Sequence, residues 1–326
     1  MSSSWLKNLL RAVALYLLIS GTLHAAETYP NKPIRWIVPW PAGGVADTQA
    51  RIIAEQLTKA LGQQVLVDNR AGASGVLGAD IGAKSKPDGY TLIYISPNEQ
   101  AIAKAIGMTV PFNPEKDFTP ITQFLRRPMV LVVNSSSNVH TVPELIALAK
   151  AKSASITYGT GGSAHVNHFG AELFNRKVGL QVPAIPYKGE APMLTDLMGG
   201  QITYGFGFAA TLDPLVKAGR LRALATTGRV RSPQLPDVPT FSEIGIKDLE
   251  LYIWTGIAAP AGLPADILLR LHSEISKVLN SPAIKSRREF ADSEIVASKP
   301  EEFRAHLARE RVWWERLVKE TGIRAE

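Results

Sequence analysis

Gly43 and Gly44, with Asp47 behind them, are the residues whose type and spacing suit a particular chemistry: holding an anion. They sit in Pro41-Ala42-Gly43-Gly44, between an apolar run from Ile34 that ends at Pro39 and a helical pattern that opens near Asp47. The first-turn amides of a helix have no intrahelical acceptor, and the helix dipole makes that end positive. Glycine lets a ligand reach the backbone without meeting a Cβ. The same order of residue types returns twice. Tyr90 to Ile95 runs into Ser96-Pro97-Asn98-Glu99, which reads as a capping box with proline at the first helical position. Ser155 to Tyr158 feeds Gly159-Thr160-Gly161-Gly162-Ser163 and a helix carrying His165 and His168. Each loop alone also reads as an ordinary strand-to-helix turn. Taken together, they are expected to cradle a small carboxylate.

Other chemistries lack their parts. The chain has no cysteine, which removes disulfides, thiolate metal sites and thiol catalysis. Ser74 lies in Gly72-Ala73-Ser74-Gly75, but a nucleophile elbow needs glycine two residues after the serine, where Val76 stands. No lysine follows the glycines at 159–162, so this is no nucleotide P-loop. His165 and His168 share a helix face at a spacing of three, yet zinc requires a third ligand. Either one of them points into a ligand cleft or both simply pack.

The elements that must position these loops follow from periodicity. Ile53, Leu57 and Leu61 recur at helical spacing before Gly62, and Val65 to Val67 is a short strand. Strands are expected at Val130–Val133, Val182–Pro186, Ile202–Phe208 and Leu221–Thr226. Helices are expected from Thr141 to Lys150, up to Gly199, from Leu212 to Ala218, and from Pro264 to Leu279. The last begins at Pro300 with a Phe303, Leu307, Trp314, Leu317, Val318 stripe. Arg231 to Gly245 is a proline-rich connector, and the apolar run Tyr252 to Ala259 contains Trp254. Repeated strand, small-residue loop and helix predict an α/β fold with a parallel or mostly parallel sheet. Ligands of such sheets sit beyond the carboxyl ends of the strands, and loops from two halves of the chain imply a cleft between two lobes.

The composition is globular, with 45% hydrophobic and 20% charged residues in 326. Lys7 and Arg11, the apolar run Ala12 to Ile19, and small Ala25 and Ala26 read as an export signal cleaved near Ala25 or Ala26, which directs the mature chain to a bacterial periplasm. The net charge of +7 falls to +5 without Lys7 and Arg11, and it forms no basic block. That mildly suits an anionic ligand and gives little support to a nucleic-acid partner, and none is expected.

Several stretches are specific. They include Pro39-Trp40-Pro41-Ala42-Gly43-Gly44 with Asp47, Asn69-Arg70, Pro87-Asp88-Gly89-Tyr90-Thr91-Leu92, Pro186-Tyr187-Lys188-Gly189, Gly199-Gly200-Gln201, and Leu235-Pro236-Asp237-Val238-Pro239-Thr240. In order and spacing the chain resembles the periplasmic receptors of the tripartite tricarboxylate transporter family, the Bug receptors. The resemblance implies a type II periplasmic-binding-protein fold, with two α/β lobes joined by two crossover segments. Residues 27–126 with 251–326 would form lobe 1 and 127–250 lobe 2, after a signal peptide at 1–26. It implies a non-catalytic monomer with no cofactor or metal, which closes on a carboxylate and docks on membrane permease subunits. The implied ligand loops fall on Ala42, Gly43, Gly44 and Asp47; on Ser96 and Asn98; on Thr160, Gly162, Ser163, His165 and His168; and on Tyr187. Many members carry an acidic residue where Phe206-Gly207-Phe208 stands here. Its absence disfavours an amino-acid ligand and leaves room for an uncharged or aromatic group. A periplasmic co-sensor or an exported hydrolase are the alternatives.

Overall fold

A computed structural model describes residues 29–162 and 165–325. The export segment and Ser163 lie outside the described residues.

Two mixed sheets form the molecule. The first has six strands in the order β11-β4-β10-β3-β1-β2. These are β1 (Ile34–Val38), β2 (Val65–Asn69), β3 (Thr91–Ile95), β4 (Phe118–Pro128), β10 (Tyr252–Pro260) and β11 (Glu294–Ile295). The second has five, in the order β7-β6-β8-β5-β9. These are β5 (Val130–Asn134), β6 (Tyr158–Thr160), β7 (Ala184–Pro186), β8 (Tyr204–Gly207) and β9 (Leu221–Thr226). In each sheet three neighbouring strands are parallel, β2-β1-β3 and β7-β6-β8. The antiparallel strands are those near the passage between sheets, because β4, β5 and β10 run against their neighbours. The expectation of a mostly parallel sheet therefore fits the strands that lead into the glycine and small-residue loops and gives way where the chain crosses over.

Helices cover both faces of each sheet, which explains why β1 is apolar nearly throughout. On one face of the first sheet, α1 (Val45–Leu61) packs Ala50, Ile53 and Leu57 against Leu271, Ile275 and Leu279 of α7 (Ala265–Asn280). A fully buried leucine such as Leu57 contributes roughly 2–3 kcal/mol of transfer free energy. On the other face lie α2 (Val76–Ala83) and the start of α8 (Pro300–Thr321). In the second sheet β5 alternates. Leu131 and Val133 join the core of α3 (Val142–Ala151) and α4 (Val166–Val178). Val130 and Val132 join that of α5 (Glu190–Met198) and α6 (Ala209–Lys217).

Only Met129 separates β4 from β5, and β10 returns beside β4 with Ile253 opposite Arg127. The hydroxyl of Thr227 ties the two crossings: it accepts from the Met129 amide at 2.9 Å and donates to the Leu251 carbonyl at 2.6 Å. Helix α8 spans both cores. Phe303 meets Trp254 edge-on at 5.7 Å, and Trp314 meets Phe169 at 5.1 Å. Between them, Glu310 accepts from the indoles of Trp254 and Trp314 at 2.8 and 3.0 Å.

Candidate functional site: a cleft at converging helix starts

The parallel strands of both sheets deliver their loops to one cavity of about 530 Å³. Its walls include the N-cap residues of five helices: Gly44 of α1, Gly75 of α2, His165 of α4, Gly189 of α5 and Phe208 of α6. Four of these caps offer no side-chain hydrogen bond to the turn that follows. In α1 and α5 the first-turn amides have no acceptor among the described residues, whereas Leu77 of α2 and Thr211 of α6 donate within their own loops, so the unclaimed amides lie mainly at α1 and α5 while all five dipoles point at the cavity.

The loop after β1 shows how the sequence builds one such wall. Asp47 lies behind it, 4% exposed, and its carboxylate accepts from the Gly43 amide at 2.8 Å and pairs with Arg51. Burial works against the Asp47 charge, but the bonds from Arg51 and Gly43 outweigh it and hold its pKa below the ordinary carboxylate value. Asp47 thus fixes the loop, and Gly43 spends its amide on that bond. Gly44, Val45 and Ala46 face the cavity, whereas Ala42 is exposed outside it.

At the end of β3, Ser96 and Asn98 line the cavity and are both 4% exposed. The expected capping box takes another form. The Glu99 carboxyl accepts from the Ser96 amide, and the Ser96 hydroxyl donates to it at 2.7 Å instead of accepting from the helix. A buried carboxyl needs donors, and desolvation pushes Glu99 up to about 7. The turn then opens as a wide π-type segment, Asn98–Ile102. Gly75 leans on this carboxyl: its φ is +93°, and a Cβ there would sit 3.2 Å from Glu99 Oε2.

The third loop divides its residues. Thr160 is fully buried beneath it, with its hydroxyl accepting from the Gly162 amide at 3.2 Å and its carbonyl from the Tyr187 amide at 2.9 Å. His165 lines the cavity. Its Nδ1 accepts from the Asn167 amide at 3.4 Å, which leaves the ring proton on Nε2, and burial lowers its pKa to about 4. It is therefore a neutral donor. His168 turns away to pack near Tyr158 and Phe169, at 6.0 and 6.1 Å between ring centres. Tyr187 also lies outside the cavity lining, and its hydroxyl donates to Asp196 at 2.8 Å. Among the described residues no three histidine, aspartate or glutamate side chains are grouped to hold a metal ion.

The wall that sequence reasoning missed is made of side chains. Arg127, near the end of β4, lines the cavity and is 8% exposed. Strand alternation sends its neighbour Arg126 outward to Glu294 at 2.8 Å and turns Arg127 in. The Arg127 guanidinium lies 4.3 Å from the Phe208 ring centre, and its Nε and Nη1 are buried without a hydrogen-bond partner. Beside it, Glu190 accepts from the Phe208 amide at 3.4 Å, and burial pushes its carboxyl up to about 7. A Cβ on Gly207 would sit 2.5 Å from Glu190 Oε1. No acidic residue stands at 206–208, but Glu190 from another segment fills the space that a side chain at Gly207 would need.

The chain matches the family described as "Tripartite tricarboxylate transporter family receptor" over residues 49–323. It is 33% identical to Protein BugT of Bordetella pertussis (strain Tohama I), over 97% of this chain and 98% of that one. Among solved structures it resembles R. palustris Rpa4515 with adipate at a TM-score of 0.84 and 33% identity, covering 91% of this chain and all of the other. MatC from Rhodopseudomonas palustris with bound malate matches at a TM-score of 0.79 and 27% identity, over 89% of this chain and all of that one. Among the described residues no helix is long and apolar enough to cross a membrane. The chain belongs to the tripartite tricarboxylate transporter receptor family, whose members are periplasmic solute-binding receptors and not enzymes.

Proposed function

We propose that this receptor captures a small carboxylate, aliphatic or aromatic, in the cavity between its two sheets and delivers it to the permease subunits of a tripartite tricarboxylate-type transporter. The observation that carries the reading is the meeting of five helix N-caps on one cavity, three of them glycine. An anion at that point gains from each dipole and from unclaimed amides. Relatives solved with adipate and with malate support the ligand class. Lobe 1 (27–126 with 251–326) and lobe 2 (127–250) close over the ligand about the β4/β10 crossings, so binding shifts the population toward the closed form. Export with loss of residues 1–26 precedes this.

Thermal-shift screening of the mature protein tests the reading. The panel contains adipate, malate, benzoate and terephthalate, with zwitterionic amino acids and the amides adipamide and benzamide as contrasts. At least one carboxylate should raise Tm in a concentration-dependent way. An amino acid preferred over every simple carboxylate would overturn it.

A further inference from the structure

Arg127 is a buried cavity-lining charge whose hydrogen-bonding capacity is only partly met. It is over nine-tenths buried, and two of its donor nitrogens meet no acceptor. Among the described residues no carboxylate lies within ion-pair distance of it, although fourteen such pairs form elsewhere in the molecule. A buried guanidinium without a counter-charge is costly, and proteins otherwise pair it. Two acidic groups act on it from neighbouring elements, Glu190 of α5 and Asp292 before β11, and burial raises the pKa of both, to about 7 and about 6. Neither carboxylate, however, comes within ion-pair distance of the Arg127 guanidinium, so the charge is answered only from farther away. Phe208 stacks on the guanidinium, and Tyr94 and Ile253 continue an apolar wall beside it.

We propose that Arg127 is a direct anchor for the ligand, its guanidinium donating charge-assisted hydrogen bonds to one carboxylate while Phe208, Tyr94 and Ile253 take the apolar or aromatic body of the same molecule. The proposal rests on the carboxylate reading above and deepens it. The ligand is a carboxylate with an apolar body, held by a side-chain charge at the crossing strand and by main-chain amides at the opposite wall. The position suits an anchor. Arg127 belongs to β4 and is paired with Ile253 of β10, so it sits where the chain passes between sheets.

Calorimetric titration of the mature protein and of Arg127→Met with adipate, malate, benzoate and terephthalate, and with adipamide and benzamide, tests this. The wild type should prefer a carboxylate over its amide by about 100-fold, and Arg127→Met should reduce that preference to a few-fold while leaving amide binding unchanged. A purely structural arginine would weaken acid and amide alike. Carboxylate preference intact in a folded Arg127→Met overturns the anchor and leaves the carboxylate reading standing. Failure of the wild type to bind any of the four carboxylates overturns that reading and the anchor with it. If Arg127→Met does not fold, Arg127→Lys decides: binding about 10-fold weaker with preference retained is expected, and binding equal to wild type overturns the role of the guanidinium.

Discussion

The two walls of the cavity are built on opposite principles. On the first-sheet side, the loop from Pro41 to Ala46 presents backbone, and Asp47, just past it, stands behind and locks it. On the second-sheet side, Glu190 and Phe208 present side chains, and Arg127 reaches them from the crossing strand. A backbone wall answers to negative charge and tolerates many shapes. A side-chain wall can be re-cut by single substitutions. The contrast teaches that attraction for an anion has two sources here, fixed amides on one wall and a replaceable guanidinium on the other, and only the second can be altered by a single substitution.

The comparison can be broken most forcefully at Gly44. Its φ of −76° suits any residue, and an added Cβ would meet only the Pro41 carbonyl at 3.4 Å. Gly44→Leu should therefore leave the apo protein folded, with Tm lowered by only a few degrees through the poorer N-cap, but fill the cavity edge and weaken carboxylate binding by about 10- to 100-fold in calorimetry. Undiminished affinity would mean that the side-chain wall alone holds the ligand. Asp47→Ala is the next test. With Gly43 and Arg51 released, the loop should lose its fixed shape, and affinity should fall about 10-fold, with stability lower by about 1–2 kcal/mol. An affinity loss equal for acids and amides would locate the damage in loop shape and not in charge.

The smallest effect sharpens the other wall. The Glu190 carboxyl has a folded pKa of about 7 against an ordinary 4.5. The native state therefore holds its proton more tightly, and the associated stability is complete below pH 4.5 and is lost as pH rises through 7. Glu190→Gln removes this dependence. Between pH 4.5 and 7 the wild type should lose stability relative to the variant by up to about 3 kcal/mol, read as diverging melting curves. Glu99, shifted in the same direction, remains in both proteins and cancels in the difference. Parallel curves would show that Glu190 is solvated, and so no part of a dry wall.

These walls differ equally in how far they could be read beforehand. Gly43, Gly44, Ser96, Asn98 and His165 announce themselves because loops at strand ends are written in local residue types. Of these, Gly44, Ser96, Asn98 and His165 share the cavity lining. Thr160, His168 and Tyr187 lie at or beyond the same kind of strand end, but their hydroxyl, ring and phenol serve internal contacts. Strand β4 escaped notice because Thr119, Thr122, Gln123 and Arg127 interrupt its apolar pattern while being buried. With it went Arg127, hidden beside an exposed twin whose opposite orientation only the strand register reveals. Glu190 moving into the space beside Gly207 joins two segments remote in sequence, and no local pattern encodes that.

Helix α8 has a mechanical consequence. It is fastened by Phe303 on Trp254 at one end and by Trp314 on Phe169 at the other, with Glu310 gripping both indoles between. Any scissoring of the sheets must be absorbed at one of these aromatic joints or by flexing the rod that connects them. The helix is thus held to the two cores by two ring contacts and one carboxyl, far along the chain from the glycine loops.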